Sequence, residues 1–193
     1  MYEYETLINT IEALSKKNFT IAIEDGRELH FHFRTENFFH LIGLHKLTDL
    51  PHIYGAKNKA GIINQIKKDD RLFRQIQKSA HYSEIQERIE SFYKVTEMLL
   101  TDKCEVIVDF DREKAPGTKI DSCFLLYKSS DRITYHLLGI ASTDKGLLYP
   151  ETYFVEKTKY YVNGQILLDC HISHKEFAYK HTKPLNSSNG QHN

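Results

Sequence analysis

Leu7, Ile8, Ile11 and Leu14 recur at the spacing of one helix face, and the polar run at 16–18 ends that pattern. The period then switches to two. Phe19–Glu24 and Glu28–Phe33 alternate apolar and polar residues around Asp25-Gly26, which predicts a β-hairpin with a tight turn. In its second strand Leu29, Phe31 and Phe33 share one face, and His30, His32 and Arg34 the other. Thr35 predicts a helix start, with Phe38, Phe39, Leu41 and Ile42 as its apolar stripe and Pro51 as its stop. Gly43 within that stripe costs about 1 kcal/mol relative to Ala, so it predicts either a close backbone approach or the end of the helix. Residues 58–79 have helical period, and Asp69 and Asp70 are expected to split them. Ser83, with Gln86 three residues on, predicts a capped helix carrying Ile85, Ile89, Phe92, Val95 or Thr96, and Leu99.

The second half is β-branched and aromatic. Strands are expected over 105–110, 122–128, 132–141, 148–156 and 159–169. Asp131, Thr143-Asp144-Lys145-Gly146 and Asn163-Gly164 mark turns, the last being either a turn or a bulge within one strand. Spacing this close predicts an antiparallel meander rather than βαβ units. The reading is an α+β fold: an N-terminal hairpin and helices packed on a twisted antiparallel sheet. It forms a single domain over 1–170, followed by a polar tail over 171–193 that is disordered at its end.

Composition narrows the function. A chain of 193 residues buries roughly 70% of its unfolded surface and needs no disulfide or metal to fold. Lys plus Arg number 26 and Asp plus Glu 26, which excludes a protein that is basic everywhere. Cys104, Cys123 and Cys170 are odd in number, far apart and without a CxxC pair, as in a reducing cytosol. The start has no apolar core of signal-peptide length, and no window approaches 18 consecutive apolar residues. A cytoplasmic protein without a membrane segment is expected. The neutral total still hides a basic stretch: Lys57, Lys59, Lys67, Lys68, Arg71, Arg74 and Lys78 face only Asp69 and Asp70. Such a stripe suits a nucleic-acid backbone, and it equally suits a solvated helix face.

The 11 histidines are clustered too, with His30, His32, His40 and His45 falling between 30 and 45 beside Arg34 and Lys46. His40 and His45 lie about 140° apart around a continuous helix, so they share a site only if the helix ends between them. Their spacing matches no zinc motif, and no metal or other cofactor is expected. No GxSxG, GxxxxGK[ST] or GxGxxG occurs. Metal-free RNA cleavage needs a base for the 2′-OH, an acid for the leaving 5′-oxygen and a cation for the charged intermediate. Histidine with Lys or Arg supplies all three near neutral pH. Further along, His136 shares a strand face with Thr134, Leu138 and Ile140, the usual setting of a satisfied core residue.

The run Phe38-Phe39-His40-Leu41-Ile42-Gly43-Leu44-His45-Lys46-Leu47 resembles the signature of a phage-associated nuclease family of the BECR type (Barnase, EndoU, colicin, RelE). Tyr135-His136-Leu137-Leu138-Gly139, then Tyr149-Pro150-Glu151-Thr152-Tyr153-Phe154 with Tyr161 and Gln165, agree in order. The resemblance covers about 19–169. It implies N-terminal helices on a four-stranded antiparallel sheet, with His40, His45, Lys46, His136 and Thr152 facing one catalytic site. Arg34, Lys157, Tyr161 and Gln165 would bind substrate. His45 is favoured as proton-transfer residue and Lys46 as phosphate stabiliser, with Thr152 and Arg34 positioning the substrate. His40 and His136 are not ranked. The function this implies is a metal-independent endoribonuclease of a phage or mobile element, with RNA as partner and a host or immunity protein as a second. The alternative is an inactive RNA-, nucleotide- or protein-binding module on the same fold.

Overall fold

A computed structural model describes residues 2–100, 104–107, 109–129 and 134–177. Helix α1 (Tyr2–Ser15) buries Leu7, Ile11 and Leu14 and leads into the hairpin β1 (Lys17–Ile23) and β2 (Glu28–His32). Gly26 turns the hairpin at φ +90°. Helix α2 (Thr35–Leu41) follows. Thr35 is its first helical residue rather than its cap, and the Asn37 side chain closes the N-terminus by accepting from the Arg34 backbone N–H at 2.8 Å. Pro51 does not stop a helix. It opens a one-turn helix, α3 (Pro51–Tyr54), where its missing N–H costs nothing.

Asn58 caps α4 (Lys59–Lys68) by accepting from the Gly61 N–H, and Asp69-Asp70 separates it from α5 (Arg71–Gln77). The helix expected from Ser83 is broken twice. A 3-10 turn at Tyr82–Glu84 precedes α6 (Gln86–Ser91), which ends at Phe92 before α7 (Tyr93–Leu100). The break lets Ile85, Ile89, Phe92, Val95 and Leu99 all reach the core despite the kinked axis.

The strands β3 (Cys104–Ile107), β4 (Phe124–Ser129), β5 (Tyr135–Ser142) and β6 (Leu148–Glu156) form the expected meander. The last strand is different. Residues 159–166, expected as strand, form a turn in which Asn163-Gly164 lies, and β7 runs over Leu167–Glu176. It leaves β6 and inserts between β1 and β3, pairing antiparallel with both, so among the described residues the sheet has seven strands in the order β2-β1-β7-β3-β4-β5-β6. The tail boundary at 170 is therefore corrected, because residues 171–176 are sheet. Their polar character misled because backbone pairing, not side-chain burial, holds them: in β7 only Ile172 is fully buried. The expected disorder of 187–193, with His181 and His192, lies outside the described residues.

Two cores flank the sheet. The larger joins α1, α2 and α4–α7 to Phe19, Ile21, Phe31, Leu126, Leu138 and Tyr153. The smaller joins Leu125 and Leu137 to Phe110, Ala115 and Val162 on the other face. Burial on both faces explains the Leu125-Leu126 and Leu137-Leu138 doublets, which break strict alternation. The two edge strands, β2 and β6, lie against each other with α2 packed on β6. The histidine-rich segment is thereby carried to the β6 edge.

Candidate active site

The site begins with the end of α2. Gly43 adopts φ +85°, which stops the helix and starts a 3-10 turn over Leu44–Lys46. An added Cβ there would meet Ile85 Cγ2 at 2.7 Å and Arg88 Cδ at 3.4 Å. Both reasons anticipated for Gly43 hold together: it ends the helix, and it admits the start of α6. Because the helix ends between them, His40 and His45 come together with ring centroids 5.0 Å apart and planes tilted by 39°.

His40, His45, Lys46 and Arg88 form one wall of a cleft of about 600 Å³. The other wall is Thr152, Phe154 and Glu156 of β6 with Gly117, Lys119, Ile120, Glu151 and Tyr161. Adjacent strand residues normally face opposite ways, yet Glu151 and Thr152 both line the cleft. A bulge accounts for this: Gly139 pairs with Thr152 and Ile140 with Pro150, leaving Glu151 as the extra residue. Pro150 sits inside edge strand β6 at this bulge. Gly139 makes the room, since a Cβ there would lie 2.2 Å from Ser122 Oγ and 2.8 Å from Thr152 Cγ2. The buried Ser122 hydroxyl donates to Glu151 Oε2 at 2.6 Å.

The electrostatics divide the cleft, with Lys46 and Arg88 on one wall and Glu151 and Glu156 on the other. Arg88 is half-buried, and no carboxylate pairs with it or with Lys46 among the described residues. Burial lowers the Arg88 pKa, and burial together with Arg88 lowers that of Lys46, with Glu84 opposing part of the shift. His45 is pushed down to about 4, first by burial and then by His40, Arg88, Lys46 and Lys59. Its Nδ1 is buried and has no hydrogen-bond partner among the described residues, so none of them fixes its tautomer. Lys59, the first residue of α4, places Nζ 2.7 Å from His40 Nε2 and 5.8 Å from the Phe39 ring centroid. Burial, then Lys59, lowers the His40 pKa. Both histidines are thus held neutral near pH 7.

That arrangement has a signature in stability. His45 binds a proton less readily folded than unfolded, so its stabilising contribution is present above pH 6.5 and is lost as pH falls toward 4. Allowing for solvent screening of a half-buried ring, the loss is about 1–2 kcal/mol. Urea unfolding at pH 7 and pH 4 should show wild-type protein losing that much more stability than His45→Gln. Equal losses in both would contradict the assigned environment.

Of the sequence-predicted residues, His40, His45, Lys46, Thr152 and Tyr161 converge on the cleft. The others do not. His136 is buried on the helix-covered face, where its Nδ1 lies 2.9 Å from Tyr153 Oη with the rings parallel. Tyr153 in turn donates to the Ser91 carbonyl at 2.9 Å, tying β6 to α6. The core reading of His136 is the one its surroundings match, because strand period places it with Leu138 and Ile140. Lys157 forms an ion pair with Glu87 of α6 at 2.5 Å. Gln165 exchanges two hydrogen bonds with the backbone of Asp111. Arg34 is exposed and lines no described cavity. The polarity of His136, Lys157 and Gln165 is spent on holding loops and elements together.

Arg88, Glu151, Lys59 and Lys119 were missed. Arg88 had a signal: it occupies the i+3 position between Ile85 and Phe92, where the apolar stripe should continue. The bulge that turns Glu151 inward left no trace in the alternation.

Among the described residues, no three or more His, Cys, Asp or Glu side chains are grouped to hold a metal ion. No described helix is long and apolar enough to cross a membrane. No curated protein and no solved structure matches the chain significantly. The model of one family, PBECR4, described as phage-Barnase-EndoU-ColicinE5/D-RelE like nuclease 4, matches residues 7–187 of 193. The convergence of imidazoles and cations at the edge of an α+β sheet thus lies within a recognised family, and the chain belongs to the PBECR4 nuclease-like family.

Proposed function

We propose that the protein is a metal-independent endoribonuclease acting in this cleft. The observation that carries the reading is the Lys46–Arg88 pair: two half-buried cations in one wall, neither of them in an ion pair among the described residues, beside a neutral imidazole, with Glu151 and Glu156 also lining the cleft. Two like charges held together in a partly desolvated wall are unfavourable until an anion joins them, and a phosphodiester supplies it.

In this reading His45 takes the 2′-OH proton. The 2′-oxygen attacks phosphorus and the P–O5′ bond breaks. Lys46, with its lowered pKa, gives the proton that the leaving 5′-oxygen requires. Arg88 carries charge on the non-bridging oxygens, and Thr152 offers its hydroxyl from the opposite wall. A pair of histidines dividing acid and base work fits less well, since both are held neutral and His40 Nε2 is engaged by Lys59. His40 is placed as a positioning residue.

The test is cleavage of single-stranded RNA by purified protein in excess EDTA, with the new ends analysed. Products ending in 2′,3′-cyclic phosphate are expected, and binding should weaken steeply as salt rises. Binding without turnover would favour the inactive-module reading. Cleavage abolished by EDTA and restored by a divalent ion would overturn the mechanism.

A further inference from the structure

A second cavity, of about 250 Å³, opens beside the main cleft and is lined by Asn37, His40, Tyr149, Pro150 and Glu151. It shares His40 and Glu151 with the cleft, so these two side chains form a partition with a hollow on each side. The smaller hollow lies below the range of a self-sufficient ligand site, which suits a pocket for one part of a larger molecule.

Its lining is built to read an edge. The Asn37 carbonyl oxygen is occupied by the Arg34 backbone N–H at 2.8 Å, which fixes the amide and leaves its NH2 without a partner among the described residues. The Tyr149 hydroxyl likewise has no hydrogen-bond partner there, and burial with Glu151 and Asp121 nearby keeps it protonated as a donor. Glu151 gives one oxygen to Ser122 and keeps the other as an acceptor. Pro150 adds a flat apolar surface. Two donors and one acceptor around a narrow slot match the hydrogen-bonding edge of an unstacked nucleobase.

We propose that this pocket is a nucleobase-reading subsite, entered by the nucleotide on one side of the scissile phosphate while the strand crosses the His40–Glu151 partition into the main cleft. The substrate is then a single strand bound on both sides of the cut, which gives internal cleavage. The aromatic wall of Phe154 and Tyr161, with centroids 4.9 Å apart, receives the neighbouring nucleotide by stacking. The proposal rests on reading the cleft as a nuclease site.

The test uses the full chain with uncleavable 2′-O-methyl pentanucleotides varied one position at a time, alongside cleavage-site mapping on random RNA. One position should discriminate between bases by about tenfold, the range of a good two-bond contact to a base edge. Asn37→Asp still accepts from Arg34 N–H but replaces the donor with an acceptor. It should reorder the preference at that position about fivefold or more and leave the other positions unchanged. Tyr149→Phe should flatten selectivity at the same position. Profiles unchanged in both variants would overturn the subsite while any cleavage kept the nuclease reading. Base-selective binding that Asn37→Asp reorders, without cleavage, would keep the subsite and overturn the nuclease reading. Failure to bind any pentanucleotide would overturn the subsite.

Discussion

His45→Ala is expected to lower RNA cleavage by about 10²–10⁴-fold, the usual worth of a positioned general base, with the circular dichroism spectrum unchanged. The ring is half-buried and its Nδ1 has no partner, so removing it breaks no hydrogen bond within the described protein. Arg88→Ala should cost about 10²–10³-fold through lost charge stabilisation, and the double variant less than the product of the two. The pH profile gives a second readout. With the His45 pKa near 4, kcat/KM of wild-type protein should stay level down to about pH 5, well below the limb of an ordinary histidine near 6.5. Lys59→Gln removes one of the cations that depress both imidazoles, so its acidic limb should move to higher pH. A limb near 6.5 in wild type, indifferent to Lys59, would assign the base to another group.

The largest structural effect is expected at Gly43. Alanine there meets two penalties at once. A left-handed backbone costs a residue with a side chain about 1 kcal/mol, and a Cβ 2.7 Å from Ile85 Cγ2 forces a shift worth about 1–3 kcal/mol. A total of about 2–4 kcal/mol corresponds to a fall in Tm of very roughly 5–15 °C for a domain of this size. Activity measured well below Tm should fall as well, because Gly43 sets the turn between His40 and His45 and the same Cβ displaces Ile85, the residue before α6, which carries Arg88. Ile85→Ala added to Gly43→Ala relieves the clash but not the backbone strain, so it should recover part of the rate. Differential scanning calorimetry and initial rates on the same samples decide the matter. A Gly43→Ala protein with wild-type Tm and rate would show that neither the turn nor the close approach is needed.

The local devices were legible because they depend on neighbours in sequence. Asp25-Gly26 between alternating runs announces the hairpin, Asp69-Asp70 the break between α4 and α5, and Gly43 the end of α2. Those signals also explain why His40, His45 and Lys46 meet: a single left-handed glycine resets the helical phase between them. The short meander from β3 to β6 was equally visible through its period and turns.

What stayed hidden depends on partners far away in the chain. Polar β7 looks like a tail because its place is held by backbone pairing with β1 and β3, and backbone donors and acceptors are the same for every sequence. His136, Lys157 and Gln165 carry chemistry-bearing side chains, yet Tyr153, Glu87 and the Asp111 backbone consume them. Arg88 and Glu151 join the cleft only when α6 docks under Gly43 and a bulge opposite Gly139 turns β6. The sequence by itself determined the α+β class, the histidine-rich turn and the kind of chemistry it can offer. Only the tertiary structure decided which polar groups are left unpaired to use it, because pairing is settled by packing across long sequence separations, after local geometry has been set.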